Sequence, residues 1–141
     1  MEYGLIAEKL GHSFSKEVHG FLADYDYQLI ELTEKELDAF MRSRSFKAIN
    51  VTIPYKEKVI PYLYKIDSAA KQIGSVNTIV NKDGKLYGYN TDFPGMKAMI
   101  LSSGIEIKDK KVLILGSGGT AKTAIAVSKD LGAKEILTVS R

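Results

Sequence analysis

Lys110-Lys111-Val112-Leu113-Ile114-Leu115-Gly116-Ser117-Gly118-Gly119-Thr120-Ala121-Lys122 runs a short apolar strand into a glycine-rich turn, and the turn opens a helix. Gly116 to Ala121 fits G-x-G-x-x-G/A in that strand–helix context. The first glycine permits a tight turn, the second lets backbone approach a pyrophosphate, and the small third residue lets helix pack close to strand. The helix N-terminus then faces the anion. A plain structural joint would also use glycines, but the strand before and the helix after favour dinucleotide binding.

The same turn is one residue away from a P-loop, G-x-x-x-x-G-K-[ST]: Lys122 and Thr123 fit, but Ala121 replaces the glycine. Alanine resists the backbone conformations by which that loop wraps phosphates, which weakens the nucleotide-hydrolase reading. The next strand, Ile136 to Val139, ends where a dinucleotide fold selects its cofactor. An acidic residue there would bind the ribose hydroxyls of NAD. Ser140 and Arg141 stand there instead, a hydroxyl and a cation suited to a 2′-phosphate, so NADP is expected.

Upstream, Tyr3 to Ala7 reads as a strand, followed by a polar turn with Ser15 capping a helix to about Ala23. Tyr27 to Leu32 alternates like a strand. Thr33-Glu34-Lys35-Glu36 is a capping box opening a helix with Leu37, Phe40 and Met41 on one face. Phe46 to Ile53 predicts a third strand ended by Pro54, and Tyr55 to Leu63 a helix broken or kinked near Pro61. Ser68 to Ile73 is a short helix stopped by Gly74. Val76 to Val80 and Leu86 to Tyr89 form a hairpin about Asp83-Gly84, and a helix from about Pro94 to Ser103 ends at Gly104. The order is α/β throughout with mostly parallel pairing expected. The junction is placed at the helix from Pro94 to Ser103 with the polar stretch Glu106 to Lys111, giving a unit of residues 1–105 and a second of residues 106–141. The second holds only the first βαβ of a Rossmann domain and reads as truncated, too small to bury its faces alone.

At 141 residues, with 45% hydrophobic and 26% charged residues, the composition is that of a soluble globular protein. The net charge of +3 is spread without a basic block, which speaks against nucleic acid as partner. There are no cysteines and two histidines, so thiolate chemistry is excluded and a metal site is not expected. No run approaches the ~20 apolar residues of a membrane span, and the start lacks a signal-peptide pattern, so a cytoplasmic protein is expected.

Ligands of open α/β sheets bind beyond the carboxyl ends of strands. Four polar clusters fall there: Ser13 with Ser15; Asn50, Thr52 and Lys56; Asn77 with Thr78; and Asn90-Thr91-Asp92. Hydroxyls, amides, one ammonium and one carboxylate suit a small polyhydroxylated acid. Singly, each has an ordinary structural reading as a cap, a turn residue or a solvated lysine.

Together, Gly11-His12-Ser13-Phe14-Ser15, Asn50-Val51-Thr52-Ile53-Pro54-Tyr55-Lys56, Gly74-Ser75-Val76-Asn77-Thr78, Gly88-Tyr89-Asn90-Thr91-Asp92 and the Gly116 turn resemble shikimate dehydrogenase in order and spacing. The resemblance covers essentially the whole chain and corresponds to the N-terminal half of that family's enzyme. It departs at Lys16 and at Glu8-Lys9, where proline is common, and at Ser140, where asparagine is common. It implies an N-terminal substrate-binding α/β domain interconverting 3-dehydroshikimate and shikimate with NADPH, in aromatic amino acid biosynthesis. The catalytic lysine is then Lys56 and its carboxylate partner Asp92, which also contacts substrate. Ser13 and Ser15 match the positions that bind the substrate carboxylate, and Thr52 and Asn77 those that bind hydroxyls. Gly116, Ser117, Gly118, Gly119 and Thr120 would hold the pyrophosphate, with Ser140 and Arg141 at the 2′-phosphate. The implied partner is a small molecule, with no nucleic acid or membrane, in a monomer or homodimer. A quinate-accepting relative and a binding module without turnover are the alternatives.

Overall fold

A computed structural model describes residues 1–11 and 13–140. The chain parts into two compact units, Met1–Asn90 and Thr91–Arg141. The division falls at Asn90, where the sequence reading put it near residue 105. Within the second unit, helix 92–102 packs on helix 119–130, with Lys97 Nζ 2.7 Å from the Asp130 carboxylate.

The first unit has strands β1 (Tyr3–Ala7), β2 (Tyr27–Glu31), β3 (Ala48–Val51), β4 (Lys65–Ile66), β5 (Thr78–Lys82) and β6 (Lys85–Tyr89). Its helices are α1 (Ser15–Leu22), α2 (Glu34–Ser43) and α3 (Ser68–Ile73). The sheet order is β2-β1-β3-β5-β6-β4. Pairings β1–β2, β1–β3 and β4–β6 are parallel, while β3–β5 and β5–β6 are antiparallel. One face carries Ile6, Ile49, Val51, Ile79 and Leu86, and Leu37 and Met41 of α2 pack on it with Tyr55, Val59 and Ala70. The apolar 3.6-residue stripe of α2 meets the period-two stripe of the strands, and this layered burial is the main stabilising term.

Local signals largely determine the ends of these elements. Thr33 Oγ1 accepts from Glu36 N (3.4 Å) while the Glu36 carboxylate accepts from Thr33 N (2.7 Å), so the capping box forms as expected. Gly74 ends α3 at φ +71°, and Asp83 and Gly84 take φ +51° and +79° in the β5–β6 turn. Positive φ at both central residues is the geometry that matches strand twist in a two-residue hairpin.

Three expectations need correction. The span from Tyr55 to Leu63 is not an α-helix but turns ending in a 3₁₀ turn at Ile60–Tyr62. The Lys56 carbonyl accepts from Val76 N (2.9 Å), so Ile60 N turns to Glu57 O instead, and Pro61 has no N–H to continue a helix. Strand β4 follows at once and pairs with β6, an element absent from the sequence reading. Ser15 is the first residue of α1 rather than its cap; the cap position is Phe14, with no side-chain bond, and Ser15 N donates to Ser13 Oγ at 3.3 Å.

In the second unit, α4 (Asp92–Ser102) leads to β7 (Lys111–Leu115), α5 (Gly119–Asp130) and β8 (Glu135–Val139). β7 and β8 pair in parallel, Leu113 opposite Leu137 and Leu115 opposite Val139. Helix α5 packs on the sheet with Ala121, Ala126 and Val127 buried, and Ile114 lies beneath it. The four residues Leu113, Leu115, Leu137 and Val139 are exposed. A βαβ unit covers one sheet face with its crossover helix and leaves the other open.

Candidate functional site

Parallel pairing of β1 with β3 puts the carboxyl ends of both strands at one edge of the sheet. The hairpin β5–β6 runs antiparallel to β3 on one strand and back on the other. Asn77, just before β5, and Asn90, just after β6, therefore reach the same edge. There the Asn77 carbonyl accepts from Val51 N (2.8 Å), and Asn77 N donates to Tyr89 O (3.0 Å). Asn90 is buried and its Nδ2 donates to Ser75 O at 2.9 Å.

Lys56 is held by its neighbours rather than by a helix. Tyr55 is fully buried, its hydroxyl donates to Leu32 O, and its N–H donates to Thr52 O at 2.9 Å. With the Lys56 carbonyl taken by Val76, the backbone is fixed on both sides of the lysine, whose side chain is half-buried. Thr52 N donates to Ile6 O at 3.1 Å, tying the same loop to β1. Ser13 and Ser15 stand half-buried at the start of α1, in the connection leaving the carboxyl end of β1.

A hydrogen-bonded chain supports this edge from below. Tyr27 Oη donates to Asn50 Oδ1 (2.7 Å), Asn50 Nδ2 to Thr78 Oγ1 (3.1 Å), and Thr78 Oγ1 to Asn77 Oδ1 (3.1 Å). Burial, with the Tyr25 phenol second, pushes the Tyr27 hydroxyl up from 10.0 to about 12. His19 stacks on Tyr27 with ring centroids 3.8 Å apart and hydrogen-bonds Tyr25 through Nδ1. These rings, with Tyr3, Asn50 and Thr78, line a cleft of about 340 Å³.

In the second unit the glycine turn has the form the motif requires. Gly116 sits at φ +117°, a region closed to side-chain-bearing residues, and its N–H donates to Val139 O at 2.7 Å. No atom lies within 4 Å of where a Cβ would stand at Gly116, Gly118 or Gly119. The turn thus leaves a cradle of bare backbone at the N-terminus of α5, suited to a pyrophosphate. Ala121 is buried, as the small third position demands. Thr123, which a P-loop would aim at a metal ion, is instead buried in the second turn of α5 with its hydroxyl 3.5 Å from Gly119 O. That geometry disfavours the P-loop alternative. Ser140 follows β8 and is exposed; Arg141 lies outside the described residues.

The structure therefore brings Asn50, Thr52, Asn77 and Asn90 to one edge with the Lys56 loop beside them, and Ser13 and Ser15 leave that edge on β1. Asp92 belongs to the second unit, at the first turn of α4 and two residues along the chain from Asn90. Sequence reasoning missed Tyr27, which it placed only as the first residue of an alternating strand.

A sheet with a polar carboxyl edge, followed along the chain by a strand, glycine turn and helix of the dinucleotide-binding form, defines a two-part α/β protein. A family model described as "Shikimate dehydrogenase substrate binding domain" matches residues 5–79. The NADP(+) shikimate dehydrogenase of Clostridium beijerinckii is 44% identical over 99% of this chain and 54% of its own length. Shikimate dehydrogenase 1 of Peptoclostridium difficile superposes with a TM-score of 0.89 at 35% identity, covering 98% of this chain and 54% of that one. The Thermus thermophilus shikimate 5-dehydrogenase, solved with NADP(H) and shikimate, gives a TM-score of 0.88 at 26% identity, covering 100% and 56%. The chain belongs to the shikimate dehydrogenase family, and it spans about half the length of the curated relatives it matches.

Proposed function

We propose that this chain is the substrate-binding part, with the first βαβ of the cofactor-binding part, of an enzyme that reduces 3-dehydroshikimate to shikimate with NADPH in aromatic amino acid biosynthesis. The observation that carries the reading is the fixed Lys56 loop set beside the amide- and hydroxyl-lined edge of β3. The domain assignment, residues 1–105 and 106–141, is part of the same reading.

NADPH, when bound, supplies a hydride to the ketone carbon. Lys56, as ammonium, donates a proton to the carbonyl oxygen, which becomes the alcohol; in the opposite direction its amine takes that proton back. Asp92 takes the part of the carboxylate partner that the family resemblance gives it. Ser13 and Ser15 donate to the substrate carboxylate, and Thr52 and Asn77 bind hydroxyls. Gly116 to Thr120 would hold the pyrophosphate through backbone N–H groups, and Ser140 and Arg141 are assigned to the 2′-phosphate.

No helix among the described residues is long and apolar enough to cross a membrane. On the family reading, the enzyme works in the cytoplasm as a monomer or homodimer. The quinate-accepting alternative draws no support from the matched proteins named above.

The test is NADP reduction by shikimate on the full-length protein. Lys56→Ala should lower kcat about 10²- to 10⁴-fold, the usual worth of a positioned proton-transfer group, with little change in the dissociation constant for shikimate. An unchanged kcat removes the assignment, and a parent protein without shikimate-dependent turnover removes the function.

A further inference from the structure

Helix α1 carries Ser15 at its start and lies beside β2, yet none of its residues is buried. A surface helix ordinarily docks through an apolar stripe. Here the apolar residues Val18, Phe21 and Leu22 are 51%, 92% and 71% exposed, so they do not hold it to the unit. Within α1 only Ser15 and His19 are partly covered. Residues four apart lie one above the other on a helix, so these two share the face that α1 turns to its own unit.

The His19 ring lies 12° from parallel to Tyr27 with centroids 3.8 Å apart, and its Nδ1 hydrogen-bonds the Tyr25 hydroxyl. Both partners are firm. Tyr27 is 4% exposed and bonded to Asn50 within the sheet, and the Tyr25 ring lies against Tyr3 of β1, centroids 4.9 Å apart. Among the described residues, His19 makes the only side-chain hydrogen bond and the only ring contacts that join α1 to the rest of the unit. The entry to α1 is tied separately: Leu10 N donates to the Glu31 carboxylate (2.7 Å) and Ser13 N to Leu10 O (3.1 Å). Those bonds fix where the helix begins. Its rotation about its own axis is left to His19, and that rotation decides where the Ser15 hydroxyl points.

We propose that His19 is a positioning residue that sets the Ser15 hydroxyl towards the substrate carboxylate by holding one face of α1 against Tyr27 and Tyr25. It stands about 6 Å along the helix axis from Ser15 and acts without touching the substrate. The inference rests on the substrate role proposed above for Ser15.

The experiment is a mutant cycle on the full-length protein, read by steady-state kinetics and by amide hydrogen exchange. Ser15→Ala should raise KM for shikimate about 10- to 150-fold, the worth of a hydrogen bond to a charged group. His19→Ala removes the stack and the bond to Tyr25. It should raise the same KM at least about fivefold but no further than Ser15→Ala does, with kcat and KM for NADP within about twofold. The double variant should match Ser15→Ala alone, because His19 acts through that hydroxyl. An unchanged KM in His19→Ala, or losses that multiply in the double variant, overturns the proposal. Exchange at the Val18, Phe21 and Leu22 amides should quicken at least about fivefold in His19→Ala while the β1 amides keep their rates. Unquickened exchange overturns the proposal even if the protein has no dehydrogenase activity. A parent without turnover but with quickened exchange in His19→Ala instead removes the proposed function and leaves the anchoring of α1 standing. Should His19→Ala fold poorly, Tyr25→Phe removes the hydrogen bond alone and should raise KM for shikimate about two- to tenfold; an unchanged KM there overturns the proposal equally.

Discussion

Two glycines in the sheet separate side-chain crowding from backbone crowding. At Gly88 in β6, an added Cβ would lie 2.5 Å from Leu63 Cδ1, 3.1 Å from Val76 Cγ2 and 3.2 Å from Ile66 Cγ2. Carbon atoms settle at about 3.5–4.0 Å, so Leu63 must withdraw by roughly 1 Å and the other two by a few tenths. Leu63 can rotate away, whereas Val76 and Ile66 are β-branched and stiff. Overpacking of this kind costs about 1–3 kcal/mol, and losing a glycine from the unfolded chain returns about 0.4–1. Gly88→Ala should therefore destabilise by about 1–2 kcal/mol. At Gly4 in β1 the nearest atom is the Gln28 backbone oxygen, at 2.5 Å, with Met1 Sδ at 2.9 Å. Gly4 and Gln28 face each other in the β1–β2 ladder, so relief requires the two backbones to part. Gly4→Ala should exceed the usual overpacking range, at above about 3 kcal/mol.

Urea unfolding of each full-length variant, followed by tyrosine fluorescence, measures the difference. With a slope of about 1–3 kcal/mol per molar, Gly88→Ala should lower the midpoint by about 1 M and Gly4→Ala by clearly more. A midpoint for Gly4→Ala equal to the parent's, or a larger loss at Gly88 than at Gly4, would refute the reasoning, because flexible side chains must yield more cheaply than a ladder carbonyl.

The remaining predictions concern the turn and the phenol. Gly116→Ala forces a Cβ onto φ +117°; strain of about 1–3 kcal/mol should weaken NADP binding about 5- to 150-fold, seen as a raised KM for NADP with KM for shikimate unaltered. Because the Tyr27 pKa is raised on folding, its contribution to stability is whole below the unfolded value near 10 and is lost as pH rises towards about 12. The urea midpoint of the parent should fall more steeply over that window than that of Tyr27→Phe; equal slopes would show that Tyr27 is not the group responsible.

What could be read from the sequence was what neighbouring residues settle among themselves. The Thr33–Glu36 box, the Asp83-Gly84 turn and the Gly74 stop each involve partners within four residues, and each stands where expected. The span from Tyr55 to Leu63 misled because its decisive bond, Val76 N to Lys56 O, joins residues twenty positions apart. A local helix signal from Pro54 cannot register a carbonyl that the tertiary fold has already committed. The candidate site shows the same division. Ser13, Thr52, Lys56 and Asn77 announce themselves as polar residues near predicted strand ends. Tyr27 meets Asn50 only across the sheet, and the phenol's partner 23 residues away leaves no mark on its own strand.

The hairpin explains how so short a unit collects so many polar groups at one edge. A parallel strand offers only the residues that follow it at the carboxyl edge. An antiparallel pair inserted beside β3 offers the residue before its first strand and the residue after its second, here Asn77 and Asn90. Their delivery depends on register, since side chains alternate faces and a slip of one residue would send Asn77 to the wrong side. The register is set at the opposite end of the hairpin, where Asp83 and Gly84 close a two-residue turn and Gly84 N donates to Asn81 Oδ1 at 2.9 Å. Asn81 Nδ2 in turn donates to the Arg44 and Phe46 carbonyls, at 2.8 and 3.0 Å, fixing the turn against the segment that leads into β3. A turn remote from the polar edge thus determines which residues the edge presents. It also explains why Thr78 faces Asn50 closely enough for their side chains to hydrogen-bond.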